Sequence, residues 1–159
     1  MGAVVAVLDI LTKDVTHGGH TYRAAGLSAV VTAARHRGKG NGRQLVAAAR
    51  ELIAGSGADA GLGSLPLAGP GSRPLARSVD LALFTCDRPL RAFYESAGWG
   101  VLDGAVLIGG TPEAPFPSDQ PGFDKVTMAA FFTERAKRNA AAFRHSRIGL
   151  HPGEIDRLW

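Results

Sequence analysis

The run Val30-Val31-Thr32-Ala33-Ala34-Arg35-His36-Arg37-Gly38-Lys39-Gly40-Asn41-Gly42-Arg43 passes from β-branched, extended sequence into a turn with glycine at three alternate positions. It leads directly into RQLVAAARELIAG (43–55), where Leu45, Val46, Ala49, Leu52 and Ile53 fall on one helical face and Gly55 and Gly57 supply the stop. A strand feeding a glycine turn that opens a helix exposes several backbone N–H groups at a positive helix end, which is a site for an anion. Glycine lets the backbone approach a phosphate without Cβ interference, and Arg37, Lys39 and Arg43 add charge. The same residues also fit a plain glycine-rich turn with solvated basic side chains. Two phosphate-binding patterns are excluded. A Walker loop requires Ser or Thr after Gly-Lys, and Lys39 is followed by Gly40. A dinucleotide fingerprint requires GxGxxG with an acidic residue on the next strand, and the spacing here is GxGxG without it.

On the N-terminal side of the glycine turn, residues 3–15 and 21–33 both read as strands, and THGGH (16–20) between them as a tight reversal, so a hairpin precedes the turn. Residues 58–79, rich in Gly, Pro, Ser, Ala and Leu without a sustained period, read as a long loop; its part from 60 to 79 has the character of a mobile insertion. DLALFTC (80–86) predicts a buried central strand, with Asp87 as cap and Pro89 in the first turn of the helix that follows. That helix puts Leu90, Phe93, Tyr94 and Ala97 on one side and ends at Gly98. VLDGAVLIGG (101–110) and FDKVTMAAFF (123–132) predict two more strands, separated by a proline-rich loop over 111–122. Residues 133–147 predict a helix, and the remaining tail an irregular segment. Strands and helices alternate only in part, so the expected class is α+β (mixed α/β), in a single domain over 1–159.

The chain has 159 residues, 45% of them hydrophobic and 20% charged, enough for one core and against overall disorder. Its one cysteine, Cys86, excludes an intramolecular disulfide framework and a multi-cysteine metal cluster. No apolar run reaches the ~20 residues of a membrane span, and the opening MGAVVAVLDIL, with Asp9 and no basic leader, does not read as a signal peptide. A cytoplasmic protein without membrane partner is expected. The net charge of +4 favours anionic partners of some kind. The basic segment Arg135–Arg147 has only Phe143 for stacking and reads as a solvated helix face, so nucleic acid is not an expected partner. His17, His20, His36, His145 and His151 form no pair at ligand spacing, so no metal is expected.

Arg37, Gly40 and Gly42 meet the pattern Arg-x-x-Gly-x-Gly, and DLALFTCDRPLRAFYESAGW (80–99) follows with a strand and a helix ending in an "FYe..GW" string. In this order the two motifs resemble the acetyl-CoA signature of the GCN5-related N-acetyltransferases. The hairpin THGGHTYR (16–23) and the tail ending in Asp156-Arg157-Leu158-Trp159 look like the aminoglycoside 2′-N-acetyltransferase branch of that superfamily. The resemblance implies a central, mostly antiparallel sheet with one splayed strand pair and helices on both faces. It implies acetyl-CoA as cosubstrate and a small-molecule primary amine, an aminoglycoside among the candidates, as acceptor. Val30, Val31 and Thr32 would pair through their main chain with the pantetheine arm, one N–H serving as oxyanion donor. Arg37, Gly38, Lys39, Gly40, Asn41, Gly42 and Arg43 would hold the pyrophosphate.

Tyr94 is the implied general acid, a phenol that stays protonated at neutral pH; the plain alternative is a helical aromatic in the core. Asp156 and Trp159 are the implied acceptor-site residues. No general base is evident: Ser28 stands where the branch carries a Glu, and Asp9, Glu154, Asp156 or the Trp159 carboxylate remain open as bases acting through water. Typical members carry a strand and two helices before the hairpin, and only 36 residues precede Arg37 here, so that portion is expected to be absent. A partner chain, with a homodimer as one form, would be one way to supply the missing wall. A non-catalytic acyl-CoA or CoA-binding module is the second reading.

Overall fold

A computed structural model describes residues 4–55 and 78–150. The N-terminal strands form a hairpin of β1 (Ala6–His17) and β2 (His20–Thr32). Its two-residue turn puts Gly18 and Gly19 at φ 58° and 79°. Both values are positive, as the hairpin turn whose twist matches the strands requires, which is why glycine occupies both places. Next come α1 (Asn41–Ala54), β3 (Leu81–Asp87), α2 (Arg91–Ser96), β4 (Gly100–Val101), β5 (Val106–Gly110), β6 (Pro115–Pro117), β7 (Lys125–Phe131), α3 (Glu134–Arg138) and β8 (Arg147–Gly149). The fold is α+β. A five-stranded sheet has the order β1-β2-β3-β7-β4, and a three-stranded sheet the order β6-β5-β8. In the larger sheet every neighbouring pair is antiparallel except β2 and β3.

The two faces of the larger sheet bury different partners. Phe84 of β3 meets Tyr94 and Trp99 edge-on, each at 5.0 Å between ring centroids, on the face covered by α1 and α2. The Trp99 indole donates to the carbonyl of Val46 in α1 at 3.1 Å, fastening that helix to the chain leaving α2. On the opposite face Tyr22 and Phe131 pack against Phe143, in a 3-10 turn over Ala140–Phe143. The buried apolar residues form one cluster that includes Leu107, Ile148 and Leu150 of the smaller sheet and its border.

Several sequence expectations change. The helix expected over 133–147 stops after Arg138, because burying Phe143 against the sheet pulls the chain into the tighter turn. The expected proline-rich loop contains β6, paired with β5, and the expected irregular tail begins with β8, parallel to β5. Asp87 does not cap a helix: the chain enters α2 through a 3-10 turn over Arg88–Leu90, and the Asp87 carboxylate accepts from Lys125 Nζ at 2.7 Å. The Gly98 stop is as expected, at φ 96°, with the N–H groups of Gly98 and Trp99 closing back on the carbonyls of Glu95 and Tyr94. The insertion expected over 60–79 lies almost entirely outside the described residues, as do Glu154, Asp156 and Trp159.

Candidate functional site

β2 and β3 run parallel, yet their pairing is confined to Ala24↔Leu81 and Ala25↔Ala82. The closed end is held by Asp80. Its carboxylate accepts from the Arg23 N–H and the Thr133 hydroxyl, both at 2.8 Å, while its own N–H donates to the Arg23 carbonyl. Beyond Ala25 the strands part. The gap is a cleft of about 210 Å³, lined by Leu27, Ser28 and Val30 from β2, Phe84 to Asp87 from β3, and Leu90, Tyr94 and Lys125. This is the splayed pair that the sequence resemblance led one to expect. Asp80 was not singled out by sequence; a polar residue directly before a buried apolar strand is the signal that could have found it.

β2 also carries a bulge beside the cleft. Asp9 pairs with Ser28 but Val7 with Val31, so residues 29 and 30 stand opposite the single Leu8. Such a bulge re-aims main-chain groups out of the ladder. Ladder alternation assigns the Val31 N–H and C=O to β1, in step with the Ala33 N–H that donates to Val5. The main chain of Val30 and Thr32 therefore looks away from β1, and the Thr32 carbonyl accepts from Arg37 Nε at 3.2 Å.

The glycine turn sits where β2 ends and α1 begins. Gly38 and Gly40 have φ 74° and 82°, and open space lies where a Cβ would project from either. Gly40 is the N-cap of α1 and offers no capping side chain, and the first turn holds no acidic residue. The leading amides of a 14-residue helix thus face outward beside the exposed Arg37 and Lys39. Gly42 is needed for another reason: a Cβ there would press on the Thr32 hydroxyl at 3.0 Å and the Phe93 ring at 3.3 Å. Besides Arg37, two more of the predicted phosphate residues are engaged within the chain. Asn41 Nδ2 donates to the His36 carbonyl at 3.1 Å, and the Arg43 guanidinium donates twice to the Ser96 carbonyl, at 2.8 and 3.1 Å. Both brace the turn, and Arg43 ties α1 to the end of α2.

Tyr94 is buried in the cleft wall, stacked edge-on against Phe84 and Phe93. Burial, with the nearby Cys86 second, pushes its phenol up to about 12. Burial also raises the Cys86 thiol, Asp87 adding to the effect and Lys125 opposing it, so the thiol is held in its unreactive form. Because the folded pKa of Tyr94 exceeds the ordinary value of 10, its protonated form is favoured by folding. That contribution is intact below pH 10 and is lost as pH rises through about 12. Subtracting the near-ultraviolet titration of Tyr94→Phe from that of the parent chain should therefore show no tyrosinate from Tyr94 at pH 10 while the fold persists. Half-ionisation at pH 10 would mean an exposed phenol.

The cleft thus lies where β2 and β3 part, with Tyr94 of α2 in its wall, and the glycine turn follows the end of the same β2 strand. Among the described residues no cluster of His, Cys, Asp and Glu could hold a metal ion, and no helix is long and apolar enough to cross a membrane. No protein-family model matches the chain, and no curated protein matches it significantly.

Proposed function

We propose that the chain is an acetyl-CoA-dependent N-acetyltransferase of the GCN5-related type, acting on a primary amine of a small molecule. The observation that carries this reading is one junction: a parallel strand pair that opens beside a bulge, with a glycine turn and an uncapped helix start at the end of the same strand. A cofactor with a diphosphate and an extended amide-bearing arm matches both halves. Outward amides and the Arg37 and Lys39 cations suit the diphosphate, and the unpaired strand edge suits the arm, as an added strand would.

In the reaction the amine nitrogen bonds to the acetyl carbonyl carbon and the carbon–sulfur bond breaks. One main-chain N–H of the Val30–Thr32 stretch, that of Val30 at the bulge, would stabilise the oxyanion. Tyr94 serves the departing sulfur. Proton transfer from a phenol near 12 to a thiolate of lower basicity is uphill, so Tyr94 acts chiefly by hydrogen-bonding the developing negative charge. The amine proton leaves through water, because among the described residues the one carboxylate lining the cleft, Asp87, is held by Lys125. An aminoglycoside acceptor, a cytoplasmic setting and acceptor-site roles for Asp156 and Trp159 belong to the same proposal.

That ion pair also favours a second reading, a CoA-binding module without turnover. Calorimetric titration with acetyl-CoA, followed by thiol-release assays over a panel of amines, separates the two: binding without release supports the module. The double variant Arg37→Ala/Gly40→Asp places a carboxylate and a strained backbone in the cradle. It is expected to weaken acetyl-CoA binding at least about tenfold. Unchanged affinity would remove both readings.

A further inference from the structure

β1 is an edge strand of the five-stranded sheet, 12 residues long, and none of the described strands pairs with its outer side. The hairpin fixes which of its groups face outward. His17 and His20 close the two-residue turn as a hydrogen-bonded pair, so the odd residues of β1 bond to β2 and the even ones look out. Arg23 is an internal check: it turns its N–H and C=O towards Asp80, so its partner Asp14 faces the open side. Leu8, Ile10, Thr12 and Asp14 therefore present a row of free donors and acceptors, a template for another strand.

The side chains select the occupant. Among the described residues Asp9, which is exposed, forms no ion pair, and the Lys13 Nζ has no hydrogen-bond partner. Both belong to the face that carries Val15. If a second β1 lies antiparallel about a two-fold axis through Leu11, residues whose numbers sum to 22 stand opposite each other. Outward-facing Ile10 then meets Thr12, and Leu8 meets Asp14, so both ladders bond correctly. Asp9 meets Lys13 twice, Leu11 meets Leu11, and Val7 meets Val15. Shifting the axis to Ile10 or Thr12 leaves Lys13 opposite Val7 or Leu11 and abolishes both charge pairs.

We propose that this chain forms a two-fold homodimer through β1, the two larger sheets joining into one continuous sheet in the register that pairs Asp9 with Lys13. The pairs lie at non-hydrogen-bonded positions of the new ladder, where cross-strand side chains approach most closely. Each Lys13 ammonium, which burial makes costlier to keep charged and which has no partner among the described residues, gains a carboxylate across the two-fold once its side chain turns out towards the edge. The inference is independent of the proposed acetyltransferase activity, since neither Asp9 nor Lys13 lines the cleft.

Sedimentation velocity over a concentration series tests it. The parent chain is expected to reach dimer mass. Asp9→Lys and Lys13→Asp each replace two opposite-charge pairs by two like-charge pairs and should raise the dimer dissociation constant at least about tenfold. The double variant Asp9→Lys/Lys13→Asp should restore it. Amide exchange supplies a measurement without substitution: N–H groups of Ile10 and Thr12 should become protected as the protein associates, while those of Leu11 and Lys13 are protected throughout. A monomer at every concentration, or a dimer indifferent to both reversals, overturns the proposal.

Discussion

Tyr94→Phe is expected to slow thiol release about a hundredfold while leaving acetyl-CoA affinity nearly unchanged. The hydroxyl is the only group removed, and the ring keeps its edge contacts with Phe84 and Phe93 at 5.0 Å. No hydrogen bond within the described residues is lost, so the fold is expected to hold. The magnitude sits at the low end of general acid effects because a phenol raised to about 12 gives up its proton poorly and acts by hydrogen-bonding the thiolate instead. Comparing kcat with calorimetric affinity separates this from a binding defect. A rate equal to the parent's would take Tyr94 out of the chemistry and leave it as core.

Phe84→Ala should destabilise the fold by about 3–5 kcal/mol, measured by chemical denaturation. Phe84 is 1% exposed and touches both Tyr94 and Trp99, so truncation leaves a void between β3 and the α1–α2 layer. Tyr94 and Trp99 come from either side of the Gly98 stop, where relaxation is limited by the Trp99 bond to Val46. The loss therefore belongs towards the upper part of that range. A cost below about 1 kcal/mol would mean that the void collapses and that the aromatic cluster is not rigid. Because the same ring backs Tyr94 in the cleft wall, thiol release by the surviving folded fraction should fall as well.

These two residues show where local sequence suffices. Tyr94 and Phe84 are visible as a helical aromatic and as the centre of an apolar run. Their meeting is not visible, because it depends on β3 lying under α2. The Gly18–Gly19 reversal, α1 and its glycine entry follow from rules that act over a few residues: positive φ, helical spacing and missing side chains. The 133–147 segment has helical spacing too, and there the local rule fails. Phe143 gains more from the sheet face that carries Tyr22 and Phe131 than the backbone gains from continuing a helix.

The site divides in the same way. The residues of the glycine turn can be read from order and spacing, but the internal use of Arg43 by the Ser96 carbonyl cannot, since the two are 53 positions apart. Nor can the roles of Asp80 and Lys125 be read. Asp80 closes one end of the β2–β3 pair, and Lys125 draws Asp87 away from capping. The hairpin, the glycine entry to α1, the buried β3 and the mixed class are legible in the residues, because propensity and periodicity act within one element. That β2 and β3 separate after two pairs, that a bulge opens beside the gap and that β1 lies at the edge of the described sheet follow only from the assembled fold. Those outcomes depend on which distant strands compete for the same backbone groups.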